Sequence, residues 1–409
     1  MLVALSAVLV FVAVVILLVA LLNTAANKLL PQGKVAITIN DNDENTLSVN
    51  AGRSLLSTLS DEKIFIPSAC GGGGTCGMCK CRITEGGGQV LPTELNHISR
   101  SEVKQDIRLS CQVKVREPMK IYLPEEIFSI RQWECTVRSN RSVATFIKEL
   151  VLELPEKENL EFKAGGYIQI DIPEYPDILF SELKIAEEYR NDWDKYNMWQ
   201  LVSRNEEETF RAYSMANHPA EGNVIMLNVR IATPPPSLMD SAPPGVGSSY
   251  IFNLKPGDRV RVSGPYGEFF IRDSEREMVY IGGGAGMAPM RSHIFHLFKT
   301  LKTGRKVSFW YGARSRKEMF YDDEFRAIAD AFPNFTYHVS LSNPLAGDNW
   351  NGFTGFIHTV LYENYLKDHE EPEEIEYYMC GPPVMVSSVE TMLYNLGVEK
   401  EMISYDEFS

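Results

Sequence analysis

Cys70, Cys76 and Cys79 share one short stretch, Cys70-Gly-Gly-Gly-Gly-Thr75-Cys76-Gly-Met-Cys79-Lys-Cys81, and Cys111 follows in Leu109-Ser-Cys-Gln-Val113. The spacing Cys70-x5-Cys76-x2-Cys79 brings three thiolates from one loop and a fourth from a strand predicted over Arg108–Val115. Zinc ribbons usually present two Cys-x2-Cys knuckles, and only one is found here. Ordered glycine costs extra backbone entropy. The glycines of this loop have a use that offsets that cost, because they let backbone N–H groups point at sulfur, which suits a [2Fe–2S] cluster. Zinc is the alternative centre. Cys81 lies two residues beyond Cys79 on a predicted strand, so it does not point with the other thiols.

Two further patterns have chemical potential. In Arg211-Ala-Tyr213-Ser214, strand alternation puts Arg211 and Tyr213 on one face and Ser214 on the other. The guanidinium can fork onto a phosphate and the phenol ring can lie on a flat heterocycle. Alone, Arg-x-Tyr-Ser is an ordinary strand with a surface arginine. Gly245-Val-Gly247-Ser248-Ser249 adds N–H groups able to meet a pyrophosphate at a helix start. Gly282-Gly283-Gly284-Ala-Gly286-Met-Ala-Pro289 joins a predicted strand to a predicted helix. It is not the Gly-x-Gly-x-x-Gly fingerprint, and its bland reading is a tight turn. Its glycines also allow a pyrophosphate to approach, and Pro289 suits a first helical turn. Cys380, in Cys380-Gly-Pro-Pro-Val384, ends a later strand and reads either as a buried small residue or as a thiol above a ligand crevice. Arg314, Arg316 and Lys317 would suit a 2′-phosphate. Cys135 reads as core, and His218 as structural.

The elements that must position these residues fall into four segments. Residues Leu2–Leu22 are apolar apart from Ser6 and carry no charge; as a helix they span about 31 Å, the thickness of a bilayer core. No basic residues precede them, unlike a signal peptide. Lys28 and Lys34 follow, so the positive-inside rule leaves the rest in the cytoplasm. The boundaries read as a transmembrane anchor over 1–30, a small thiol-bearing domain over 31–128, an antiparallel β-barrel over 129–273 and an α/β parallel-sheet domain of about five strands over 274–409. A charged, aromatic segment, Glu174–Glu208, interrupts the barrel and is too long for a hairpin connection. The net charge of −14 argues against nucleic acid as a partner. Seven cysteines, four of them clustered, read as metal binding in a reducing compartment, not as a disulfide framework.

On these motifs, the thiol region resembles a β-grasp [2Fe–2S] ferredoxin, with Cys70, Cys76, Cys79 and Cys111 as ligands. Its five-residue first spacing is that of the adrenodoxin-like group, not the four of plant ferredoxins. The remainder resembles the ferredoxin–NADP reductase superfamily. That resemblance implies FAD bound by Arg211 at the pyrophosphate and Tyr213 at the isoalloxazine, with Gly247 and Ser248 near the phosphates and Ser214 at flavin N5. It also implies a nicotinamide site at Gly282, Gly283, Gly284, Gly286 and Pro289. Cys380 then stands beside nicotinamide C4, and Phe408 is a terminal aromatic covering the flavin. Taken whole, the chain resembles the family of F subunits of sodium-translocating NADH:quinone oxidoreductases. The resemblance implies NADH as substrate, Ser214 and Cys380 at the transfer, quinone as final acceptor, and sister subunits in a bacterial inner membrane. Two readings compete: the reductase component of a multicomponent oxygenase, and a membrane-tethered electron carrier that no longer oxidises NADH. The Glu174–Glu208 segment is the expected contact for sister subunits.

Overall fold

In the computed structural model, residues 11–19, 33–234 and 242–406 are described. Residues 11–19 are helical (α1), with Phe11, Ile16, Leu17 and the other large apolar side chains exposed. Among the described residues no helix is long and apolar enough to cross a membrane; most of the predicted anchor lies outside them. The chain divides into two compact units, up to Ile130 and from Arg131 onward.

The first unit holds a mixed five-stranded sheet in the order β2-β1-β5-β3-β4, built from β1 (Lys34–Ile39), β2 (Asn42–Asn50), β3 (Lys80–Glu85), β4 (Ile107–Leu109) and β5 (Met119–Tyr122). Only β1 and β5 run parallel; the other pairs are antiparallel. Alternation decides the inner face: Val35, Ile37 and Ile39 are buried while Lys34 and Ala36 are exposed. Helix α2 (Leu55–Asp61) starts where Ser54 accepts the Ser57 N–H, and it buries Leu55, Leu56 and Leu59. A second short helix, α3 (Arg100–Lys104), opens with a capping box between Ser99 and Glu102. The strand expected over Arg108–Val115 stops at Leu109. The chain then turns, with the Gln112 N–H returning to the Leu109 carbonyl at 2.9 Å, so Cys111 sits on a turn and not on a strand.

The second unit begins with a six-stranded antiparallel sheet in the order β11-β8-β13-β6-β7-β12. Its strands are β6 (Arg131–Ala144), β7 (Ile147–Glu153), β8 (Tyr167–Ile172), β11 (Thr209–Ser214), β12 (Val224–Arg230) and β13 (Arg259–Tyr266). A bridge between Met215 and Leu227 joins its two edge strands, which closes the barrel. The interrupting segment forms a separate ribbon of β9 (Tyr175–Leu179) and β10 (Val202–Asn205) around α4 (Glu187–Lys195). Its aromatic content is largely spent inside: Trp193 is fully buried in the barrel core and donates its indole N–H to the Thr145 carbonyl at 2.8 Å. Helix α5 (Val246–Asn253) precedes β13, and Lys148 caps its far end by donating to the Phe252 carbonyl at 2.9 Å.

A parallel sheet in the order β17-β16-β15-β14-β18-β19 completes the unit, with six strands where five are legible in the sequence. They are β14 (Met278–Gly283), β15 (Val307–Ala313), β16 (Phe335–Leu341), β17 (Phe353–Thr354), β18 (Glu376–Cys380) and β19 (Ile403–Asp406). Helices α6 (Met287–Phe295), α7 (Asp322–Ala331), α8 (Ile357–Asn364) and α9 (Pro383–Asn395) alternate with them. Two separate apolar clusters, one on Tyr280, Phe309 and Phe325 and the other on Ile281, Trp310 and Leu361, show the sheet covered on both faces.

Candidate functional site

The four expected thiols converge as two pairs. Cys76 Sγ lies 3.4 Å from Cys70 Sγ and donates to it. The Cys79 thiol likewise donates to Cys111. The acceptors become acidic: Cys70 is lowered to about 3, chiefly by the Cys76 hydrogen bond, and Cys111 to about 7, chiefly by that of Cys79. Backbone N–H groups of Thr75 and Cys76 also face the Cys70 sulfur, and that of Met78 faces Cys76. These amides are freed by left-handed backbone at Gly72 (φ +91°) and Gly74 (φ +76°). No group of three or more His, Cys, Asp or Glu among the described residues surrounds a single-ion position. A zinc ion needs four ligands at one point, whereas each iron of a [2Fe–2S] cluster takes two thiolates, so two facing pairs fit the cluster. Cys81 is buried and its thiol is pushed up to about 12 by that burial, so it stays protonated as the spare. Sequence reasoning missed the brace beside the site. Buried Glu94 takes Arg108 bidentately, at 2.7 and 2.9 Å, and accepts the Leu109 N–H at 3.0 Å, just before the Cys111 turn.

At the barrel edge, Arg211, Tyr213 and Gly247 come together. A Cβ on Gly247 would lie 2.8 Å from Arg211 Cγ and 3.2 Å from the Tyr213 hydroxyl, so the start of α5 reaches these side chains only as glycine. The Arg211 guanidinium donates to Thr209 Oγ1 and the Phe210 carbonyl, and none of the ion pairs found among the described residues involves it. A partly buried cation beside a helix N-terminus, lacking a carboxylate, fits a pyrophosphate. Ser248 does not face outward: its hydroxyl donates to the Gly245 carbonyl at 3.1 Å and accepts the Ala232 N–H at 2.9 Å, so it shapes the turn.

At the carboxyl edge of the parallel sheet, Gly282, Cys380 and Asp406 stand side by side in register on β14, β18 and β19. Gly283 ends β14, Gly284–Gly286 form a single tight turn, and Pro289 is the third residue of α6. The glycines differ in use. Gly286 lets α6 press on β18, since a Cβ there would lie 2.1 Å from the Cys380 carbonyl oxygen; Gly284 faces open space at the strand ends, where a ligand belongs. Burial pushes the Cys380 thiol well above its ordinary value, so it is neutral. Asp406, which sequence reasoning also missed, accepts a hydrogen bond from the Ser214 hydroxyl. Burial raises its carboxyl and the Ser214 bond partly opposes that. Ser214, Asp406 and Cys380 therefore join barrel and sheet at one point.

Other expected residues lie elsewhere. Phe408 falls outside the described residues. The three cations that would suit a 2′-phosphate are engaged: Arg314 donates to the Tyr196 hydroxyl at 2.8 Å, Lys317 to Asp192 and the Glu188 carbonyl, and Arg316 to the Asp348 carbonyl. Cys135 is fully buried in the barrel core, and His218 is buried beside Phe295 and Thr300, as a structural residue would be.

Three family models match in chain order. They are a 2Fe-2S iron-sulfur cluster binding domain over residues 37–116, an oxidoreductase FAD-binding domain over 194–271 and an oxidoreductase NAD-binding domain over 280–391. Cofactors of the chain are accordingly a [2Fe–2S] cluster and FAD, with NADH as substrate. Among solved structures, an Amycolatopsis cytochrome P450 reductase, GcoB, shares the fold at TM-score 0.64 and 22% identity, over 91% of this chain and 98% of that one. The ferredoxin reductase in carbazole 1,9a-dioxygenase does so at TM-score 0.60 and 23% identity, over 92% and 98%. Among curated proteins, the F subunit of the Na(+)-translocating NADH-quinone reductase of Neisseria meningitidis is 57% identical over 97% of both chains. The F subunits of the same enzyme in Klebsiella pneumoniae and Methylococcus capsulatus match at the same identity and coverage. The chain belongs to the family of Na(+)-translocating NADH-quinone reductase F subunits.

Proposed function

We propose that the chain is the NADH-oxidising input subunit of a membrane respiratory complex, passing electrons to sister subunits and finally to quinone while the complex moves Na+. The observation that carries this reading is 57% identity to F-subunit relatives along 97% of both chains. Nicotinamides supply electrons in pairs, flavins take pairs and release them singly, and a [2Fe–2S] cluster carries one. The residues divide the work. Arg211 and the N–H groups around Gly247 hold the FAD pyrophosphate, Tyr213 packs on the ring system, and Ser248 keeps the α5 turn in shape. Gly282, Gly283, Gly284, Gly286 and Pro289 form the nucleotide turn. Ser214, positioned by Asp406, faces the flavin, and Cys380 faces the nicotinamide as a neutral, water-excluding wall. Cys70, Cys76, Cys79 and Cys111 would hold the cluster, which supplies one-electron transfer when bound. Phe408 covers the flavin when nicotinamide is absent. The domain limits are 1–30, 31–128, 129–273 and 274–409, the first a single membrane helix in a bacterial inner membrane with the remainder in the cytoplasm.

The oxygenase-reductase reading shares the fold of the solved neighbours but not the near-full-length identity. Membranes carrying the full chain test the proposal. They should oxidise NADH, reduce quinone and take up Na+, and the chain should co-purify in detergent with integral-membrane partners. Recovery in the soluble fraction, supporting an oxygenase and no quinone reduction, would overturn it.

A further inference from the structure

The Gln112 side chain lies against the cluster ligand that precedes it. Its Nε2 donates to Cys111 Sγ at 3.5 Å, while its Oε1 accepts from Thr93 Oγ1 at 3.1 Å. The amide is enclosed from the loop side as well: a Cβ on Gly74 would lie 2.6 Å from Nε2, so the glycine loop leaves just the room that the amide fills. Thr93 is itself fixed, because the next residue, Glu94, is buried in the Arg108 ion pair and accepts the Leu109 N–H. The amide orientation follows from chemistry. A thiolate accepts and cannot donate, so Nε2 must face sulfur, and the Thr93 hydroxyl, able to do either, donates to the oxygen that remains.

We propose that Gln112 is a positioning residue that raises the reduction potential of the centre held at Cys111. The inference rests on the reading of the four thiols as [2Fe–2S] ligands. Reduction places an added negative charge partly on the ligand sulfurs, and an N–H dipole aimed at one of them stabilises the reduced form more than the oxidised form. Backbone amides serve Cys70 and Cys76 in the glycine loop. Cys111 lies on a turn outside that loop, and there the Gln112 side-chain amide adds to the backbone N–H of Cys111 itself. Thr93 and Gly74 act through Gln112: one holds it, the other makes room for it.

The full-length chain with FAD and cluster loaded provides the test, by redox titration followed by EPR of the reduced cluster, with iron content measured in parallel. In Gln112→Leu, the ratio of reduced to oxidised cluster at fixed poise should fall about tenfold, equivalent to 59 mV for a one-electron couple. Gln112→Glu, which keeps the shape but presents only acceptors, should fall at least as far. Thr93→Val should shift the same way by less, and the flavin titration should not move in any of the three. A wild-type cluster potential in Gln112→Leu, with iron content intact, would overturn the inference; a purely packing role predicts that result. Where Gln112→Leu loses its cluster, wild-type potentials in both Gln112→Glu and Thr93→Val would overturn it instead. A wild-type chain lacking the reduced [2Fe–2S] EPR signal would overturn the underlying ligand reading.

Discussion

Ser214 gives its hydroxyl hydrogen to Asp406 across 192 positions of chain, and Cys380 stands next to Asp406 in the sheet register. Misplacing a group at a transfer site by about 1 Å can cost about 10²-fold in rate. Ser214→Ala should therefore slow reduction of bound FAD by NADH by about 10²-fold in stopped-flow absorbance, with FAD content unchanged. Cys111→Ala should abolish the reduced-cluster EPR signal while NADH oxidation by a flavin-level acceptor continues; a persisting signal would exclude Cys111 as a ligand. At this scale the sequence is informative wherever chemistry is local. Arg211 and Tyr213 share a strand face by alternation, and the thiols announce themselves by spacing. Asp406 is not legible, because its partner is supplied by a distant strand and only the terminal aromatic near it carries a signal. Ser248 is legible as part of a turn but not in its direction, which depends on the Ala232 N–H.

The elements that carry these residues are held by close approaches and buried polar groups. Gly286→Ala would drive a methyl group into the Cys380 carbonyl at 2.1 Å. It should destabilise the second unit by about 1–3 kcal/mol or more and weaken NADH binding, while Gly304→Ala, with nothing within 4 Å, should leave both unchanged. Thermal melts of the two variants decide the matter. His293 on α6 is fully buried, stacked on Phe269, with Nε2 at 3.0 Å from the Phe269 carbonyl. Burial lowers it from 6.5 to about 4. The fold thus keeps the ring neutral, the unfolded chain binds a proton more readily between those values, and stability is lost as pH falls from 6.5 towards 4. The loss amounts to about 3 kcal/mol, and His293→Gln should flatten that part of a denaturation-versus-pH curve. Strands such as Tyr167–Ile172 are readable to the residue from their β-branched and aromatic runs. Two features are not. Strand β17 has only two residues, too short for any periodicity, and the Cys111 turn hides in a segment whose composition is that of a strand.

As a whole the chain reads as separable parts in series, since residues up to Ile130 and from Arg131 onward form distinct contact units. A fragment covering 131–409 should fold, bind FAD and reduce ferricyanide with NADH, yet show no cluster EPR signal; failure to fold or to bind FAD would show that the second unit is not independent. The order of modules is visible because each brings its own glycine or thiol signature. The purpose of Glu174–Glu208 is not, because burial of Trp193 is a tertiary fact. The two thiol pairs differ in kind. Cys70 and Cys76 belong to one loop, so the partners of that pair are near neighbours even in an extended chain. Cys79 and Cys111 meet only once β3 and β4 are paired, Lys80 against Leu109. On the proposed ligand set, cofactor insertion is thereby an inspection step: a chain that has not closed its sheet would offer iron half a berth, and only a correctly folded one would keep it.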